Sequence, residues 1–176
     1  FGGFPAYHEN DDLTKFDILL RESRISQSHW NDINKNIRYR EMLIKQKTNA
    51  QNISTSGNFA DCSYEGLKEK IEFLGLDNIV LVKGDFKESI AVEPGRPFMS
   101  VLIDCDLYDG YKECLPFAWK NLVRGGYVFL DEYYSLKFPG ARIATDEFFA
   151  NRKDKPVKHQ QNNGDFERWF VRKIYE

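Results

Sequence analysis

Net charge is almost absent from this sequence: 25 Lys and Arg stand against 27 Asp and Glu, leaving −2 over 176 residues. So balanced a chain does not capture nucleic acid or an anionic membrane by broad electrostatics. Long hydrophobic runs are missing too, and none reaches the ~18 residues of a membrane-spanning helix. Phe1 to Asn10 has neither a basic region nor an apolar core, so no secretory signal is read there. Cysteine is scarce. Cys62, Cys105 and Cys114 are odd in number and show no Cys-x-x-Cys spacing, which argues against a disulfide framework or zinc cluster and for a reducing cytoplasm. Gly-x-Gly-x-x-Gly, a P-loop lysine and Gly-x-Ser-x-Gly are all lacking. His8, His29 and His159 have no ligand-like spacing and read as surface or structural histidines. Aromatic residues, by contrast, make up 15% of the chain, enough for a substantial core or a stacking pocket.

The chain changes character near residue 60. Residues 6–60 are polar and weakly periodic, with helix expected over 12–22 and 29–47 and a loop over 48–58. Beyond Ser63 the pattern sharpens. Ser63 caps an expected helix with Tyr64, Leu67, Ile71 and Leu74 on one face, ended by Gly75. Asn78 to Lys83, Phe98 to Ile103 and Tyr127 to Leu130 read as strands. Between the last two, a helix spans roughly 110–122, its regular part expected to start at Pro116. Residues 143–151 read as helical, and 157–160 and 167–173 as strands around a polar turn at 162–165. Alternating strands and helices, with near-continuous apolar strands, predict an α/β fold. The sheet should be mostly parallel and covered on both faces, with a C-terminal antiparallel hairpin at its edge.

Ligands of open α/β sheets bind beyond the carboxyl ends of the strands. Three expected strands end in acid, at Asp85, at Asp104 and at Asp131-Glu132. If the strands ending at Asp104 and Asp131 are neighbours, they lie ~4.8 Å apart, and Asp104 and Asp131 would converge with Glu132 beside them. Clustered carboxylates repel unless a proton or cation sits among them, and a hard ion such as Mg²⁺ suits an all-oxygen set. The Asp104-Cys-Asp106 pair supports a second reading, a glycosyltransferase whose metal carries a nucleotide sugar. A third is a binding domain that keeps the fold without turnover.

The segments Gly3-Phe4-Pro5, Gly84-Asp85-Phe86, Ile103-Asp-Cys-Asp-Leu-Tyr-Asp109, Gly125-Gly-Tyr-Val-Phe-Leu-Asp131, Pro139-Gly140 and Ala144-x-Asp146-Glu-Phe148 resemble, in order and spacing, the macrocin O-methyltransferase family. The resemblance implies a Rossmann-like class I methyltransferase using S-adenosylmethionine and a divalent metal, Mg²⁺, on a sugar or glycosylated small molecule. It implies metal ligands at Asp104, Asp131 and Glu132, and Asp104 as the base that takes or steers the acceptor proton. Gly84, Asp85 and Phe86 would lie near the adenine, Phe1, Gly2 and Gly3 near the ribose, and Asp104 against the cofactor as well. Residues 1–176 would form a single domain, the C-terminal portion of a methyltransferase domain. Within it, 61–176 would be the α/β core and 6–60 an insertion or lid over the substrate. The family's first strand and Gly-rich loop precede the Gly-Phe-Pro segment. The resemblance therefore implies that this chain is part of a longer one, and that alone it would bind S-adenosylmethionine poorly or pair its exposed edges with a second copy.

Overall fold

Two apolar runs form the centre of the sheet. Strand β1 (Phe98–Ile103) pairs in parallel with β2 (Leu122–Leu130), placing Val101 opposite Val128 and Ile103 opposite Leu130. The computed structural model describes residues 2–56, 59–92, 95–159 and 167–175, the side chains of Ala91 and Val92 excepted. Strands β3 (Val157–Lys158) and β4 (Trp169–Arg172) complete a sheet of order β1-β2-β4-β3. Strand β4 runs antiparallel to both β2 and β3. The expected terminal hairpin is therefore present, although its turn lies outside the described residues. With one parallel pairing and two antiparallel ones, the described sheet is mixed rather than mostly parallel.

Helix α5 (Tyr108–Asn121) and helix α6 (Pro139–Phe149) cover one face of this sheet. Tyr111, Leu115, Ala118 and Trp119 from α5 and Ala141, Ala144 and Phe149 from α6 pack on Ile103, Val128, Leu130 and Val171. Helix α5 does not begin at Pro116 but runs through it. Pro116 removes one backbone donor, yet Tyr111 and Leu115 before it and Ala118 and Trp119 after it are all buried, so packing holds both halves on one axis. The opposite face of the sheet is not covered among the described residues, against expectation: Leu102 is 62% exposed and Phe129 36%.

The polar N-terminal part is better organised than its weak periodicity predicts. A 3₁₀ turn (Glu9–Asp11) leads to α1 (Lys15–Arg21) and α2 (Gln27–Ile44). The Ser26 hydroxyl accepts from His29 N at 3.1 Å and caps α2. Phe16, Leu19, Ile25 and Ile33 form a core with Ile143 of α6. Arg24 bonds Asp146 of α6 at 2.8 Å, and Tyr133 donates to the same carboxylate at 2.7 Å. Because α6 lies between the two cores, residues 13–37 are anchored to the α/β part and not strung loosely over it.

Helix α3 (Tyr64–Phe73) starts where the Ser63 hydroxyl accepts from Gly66 N. Its apolar stripe finds little to cover it: Tyr64, Leu67 and Ile71 are half-buried and Leu74 is exposed. The strand expected at Asn78 to Lys83 is not formed, and Val80 is 76% exposed. A strand exists through its ladder, and no described strand pairs with this run. A short helix, α4 (Phe86–Val92), follows Asp85.

His29 gives the N-terminal core a pH dependence. Its ring is buried, stacks on Tyr134 at 3.8 Å, and has Nε2 2.7 Å from the Ser135 carbonyl. A carbonyl only accepts, so Nε2 holds the proton of the neutral ring. Burial lowers the His29 pKa below 6.5, with Arg142 acting in the same direction and the Ser135 bond opposing. As pH falls through ~6.5 the unfolded chain takes up a proton that the folded chain refuses. Stability is therefore expected to drop from about pH 7 downward until the folded pKa is reached, and to be indifferent to this group above that. Urea unfolding of wild type and His29→Gln, which keeps a donor but does not titrate, should give curves that diverge on acidification. Parallel curves would remove His29 as the cause.

Candidate active site

The parallel register brings the acids together. Because Ile103 and Leu130 are paired, Asp104 and Asp131 leave the sheet side by side. Burial raises the Asp104 pKa, and the neighbouring Asp131 raises it further. The chain then turns within three residues: Leu107 N donates to Cys105 O at 2.6 Å, with Asp106 at the centre at φ +56°. Turns of this kind are rare and strained for a residue with a side chain. The turn directs a second acid back toward the first. Burial pushes the Asp106 pKa up to about 7, with Glu132 and Asp104 adding to the rise and Lys137 opposing it.

Two buried groups fix this arrangement. Tyr111, with no exposed surface, donates its hydroxyl to Ile103 O at 3.1 Å and accepts from Glu132 N at 3.1 Å. It thereby clamps the ends of β1 and β2. Asp11 accepts from Tyr108 N and from His8 N, both at 2.9 Å, and so ties the first turn of α5 to the N-terminal segment. Asp11 fits there because residue 140 is glycine: a Cβ at Gly140 would meet the Asp11 carboxylate and stand 2.7 Å from Tyr108 Cβ.

A cavity of about 610 Å³ opens beside these acids, between residues 2–6, residues 83–87 and the Asp104-to-Leu107 turn. Its volume lies in the usual small-molecule range. Of the residues assigned to a cofactor, Gly2, Gly3, Gly84, Asp85, Phe86 and Asp104 all line it. Phe1 lies outside the described residues. Gly2 and Gly3 have φ of +114° and +81°, which only glycine adopts readily, and so bring bare backbone to the rim. The expected metal set is assembled only in part. Asp104 and Asp131 meet, but Glu132 is turned to the Ser135 hydroxyl, which donates to it. Among the described residues no three His, Cys, Asp or Glu side chains converge as a ligand set. Asp131 instead faces a second hollow of about 390 Å³ with Leu102, Phe129, His159 and Trp169. Sequence reasoning gave Asp106 only to the glycosyltransferase alternative and did not single out Asp11. The Asp-x-Asp spacing was the available signal for Asp106, but the turn that aims it is a backbone feature without a sequence signature.

Residues 31–172 match the family model described as Macrocin-O-methyltransferase (TylF), and the chain belongs to that family. Among solved structures it is similar to "Structure of the O-methyltransferase NovP", with TM-score 0.58, 20% identity, and 70% of this chain and 50% of that one covered. It is also similar to "Crystal Structure of CalS11, Calicheamicin Methyltransferase", with TM-score 0.53, 26% identity, and 66% and 49% covered. The chain thus spans about half the length of these structures. No curated protein matches it. No helix among the described residues is long and apolar enough to cross a membrane.

Proposed function

We propose that this chain carries the cofactor and acceptor site of an S-adenosylmethionine-dependent O-methyltransferase acting on a hydroxyl of a sugar or glycosylated small molecule. The observation that carries the reading is the single cavity into which three segments, far apart in sequence, bring two positive-φ glycines, Gly84 to Phe86 and the Asp104–Asp106 acids. Family membership supplies the reaction class. When bound, S-adenosylmethionine supplies an electrophilic methyl group on a sulfonium. In this reading, Gly84, Asp85 and Phe86 flank its adenine, and the backbone of Gly2 and Gly3 faces its ribose. Asp106 faces the acceptor hydroxyl and receives its proton. A group titrating near neutrality is suited to that step, and Asp106 takes over here the role expected of Asp104. Phe4, Pro5, Ala6 and Asp11 in the cavity wall close the acceptor side, the place of 6–60 in this reading.

Asp104 and Asp131 are the seat for a divalent cation, Mg²⁺ by the hardness of their oxygens. The donor chemistry fits, since burial and mutual repulsion raise Asp104, Asp106 and Glu132, with Lys137 the compensating charge nearby. A bound ion would supply positive charge beside the acceptor oxygen and lower its pKa. Glu132 would join only after leaving Ser135. Asp131→Asn in the complete protein tests the seat. The Mg²⁺ concentration needed for half-maximal methyl transfer should rise roughly tenfold or more, by analogy with the loss of supporting groups at metal sites. An unchanged Mg²⁺ requirement would exclude Asp131 as a ligand.

A further inference from the structure

The wall of the larger cavity holds a second strained residue besides Asp106. Phe59 has φ +61°, in the left-handed region that glycine or asparagine ordinarily occupies, and a ring-bearing side chain there is an outlier. Its backbone N–H donates to Ser56 O at 3.0 Å, which closes a turn at this residue. Strain of this kind persists only where the surroundings over-determine it, and it collects where a side chain must be held in one place. Two neighbouring rings hold this one. Phe59 packs edge-to-face with Phe4, the centroids 5.1 Å apart and the planes at 70°, and lies 6.4 Å from the ring of the fully buried Phe138. Phe138 belongs with Ile53 and Leu107 to a buried apolar cluster, and Phe59 sits on that cluster half-buried. Phe59 and Phe4 also line the cavity. Asp104, Asp106 and Asp109 line it as well, so apolar rings and carboxyl groups share one enclosure.

We infer that Phe59 is the platform for the acceptor's sugar ring and takes its apolar C–H face, leaving the hydroxyl edge to the acids. A pyranose has that division: on at least one face its C–H bonds gather into a patch, while its hydroxyls project around the rim. C–H bonds carry slight positive charge and the face of a phenyl ring slight negative charge, so the contact attracts beyond the area it covers. An open-chain polyol lacks the flat apolar face, and a wholly apolar ligand would leave the carboxyl groups desolvated without donors. Packing against Phe4 and Phe138 fixes the Phe59 ring before the acceptor arrives, so little side-chain freedom is lost on binding. The inference rests on the methyltransferase reading and adds to it a specificity-determining residue from the polar segment 6–60.

Phe59→Leu and Phe59→Tyr in the complete protein are the test: leucine keeps apolar bulk without the ring, and tyrosine keeps the ring. The probe is methyl α-D-mannopyranoside, added in the presence of S-adenosylhomocysteine, and its binding is followed by saturation-transfer NMR from the aromatic protons. S-adenosylmethionine affinity is measured separately by calorimetry. Wild type is expected to pass saturation chiefly to the C–H protons of one pyranose face. Phe59→Leu should weaken probe binding about threefold to tenfold, the usual worth of an aromatic contact. Phe59→Tyr should restore it, and cofactor affinity should be unchanged in both. A wild type that binds the cofactor but shows no transfer to the probe overturns the inference, as does equal probe affinity in wild type and the Leu variant. An equal loss in the Leu and Tyr variants overturns it by making size and not the ring the cause. Lost cofactor affinity in the Leu variant does so by showing that Phe59 supports the whole cavity. A wild type that binds no S-adenosylmethionine would instead overturn the underlying methyltransferase reading, which keeps the two failures apart.

Discussion

Asp106→Asn is expected to slow methyl transfer by about 10²–10⁴-fold, the usual contribution of a positioned general base, while leaving S-adenosylmethionine affinity nearly unchanged. The amide has the same shape and fits the same strained turn, where asparagine is tolerated well. What it loses is the capacity to take a proton. Asp106 sits three residues beyond the end of β1, at φ +56°, inside the cavity wall. The turn costs backbone energy, and such strain is commonly found where a side chain must be aimed. Single-turnover methyl transfer separates chemistry from product release. A variant that turns over at the wild-type rate would return the base to Asp104 or to solvent.

The largest loss of stability is expected at Tyr111. Its side chain is fully buried at the centre of the main core, and Tyr111→Ala should cost about 3–5 kcal/mol, as for other large buried aromatics. Tyr111→Phe is the more informative change. It preserves the packing but strips a partner from Ile103 O and from Glu132 N, groups at the carboxyl ends of the two parallel strands. Leaving these groups unpaired should cost about 1–3 kcal/mol. The same change should lower methyl transfer, because the Asp104–Asp131 pair then loses the clamp that fixes its spacing. Urea denaturation measures the first effect. A Phe variant as stable as wild type would show that water replaces the hydroxyl and that the clamp contributes nothing.

Much of the fold is legible locally. Phe98 to Ile103 has the bounds expected of it, since an apolar run ending in acid admits few alternatives. The Ser63 cap and the helix it starts follow from one hydroxyl and a 3.6-residue period. The run at Asn78 to Lys83 has equal strand chemistry and no strand, because pairing is supplied by another part of the sheet and not by the run itself. Pro116 teaches the converse: a local helix breaker is tolerated where buried neighbours on either side hold the axis. The bare face of the sheet likewise follows from what packs there, which composition does not report.

The same division runs through the candidate site. By itself the sequence determined which residue types are present and that two apolar strands end in Asp104 and Asp131, and its motif order identified the family. Those are properties of short segments, set by side-chain chemistry and backbone preference within a few residues. Only the tertiary structure decided, by their pairing, that those strands are neighbours, that Glu132 turns to Ser135, that Asp106 is aimed into the cavity, and that Asp11 reaches Tyr108 across 97 positions of chain. Each of those outcomes depends on contacts between segments distant in sequence, whose partners are selected by packing in three dimensions and leave no periodic trace along the chain.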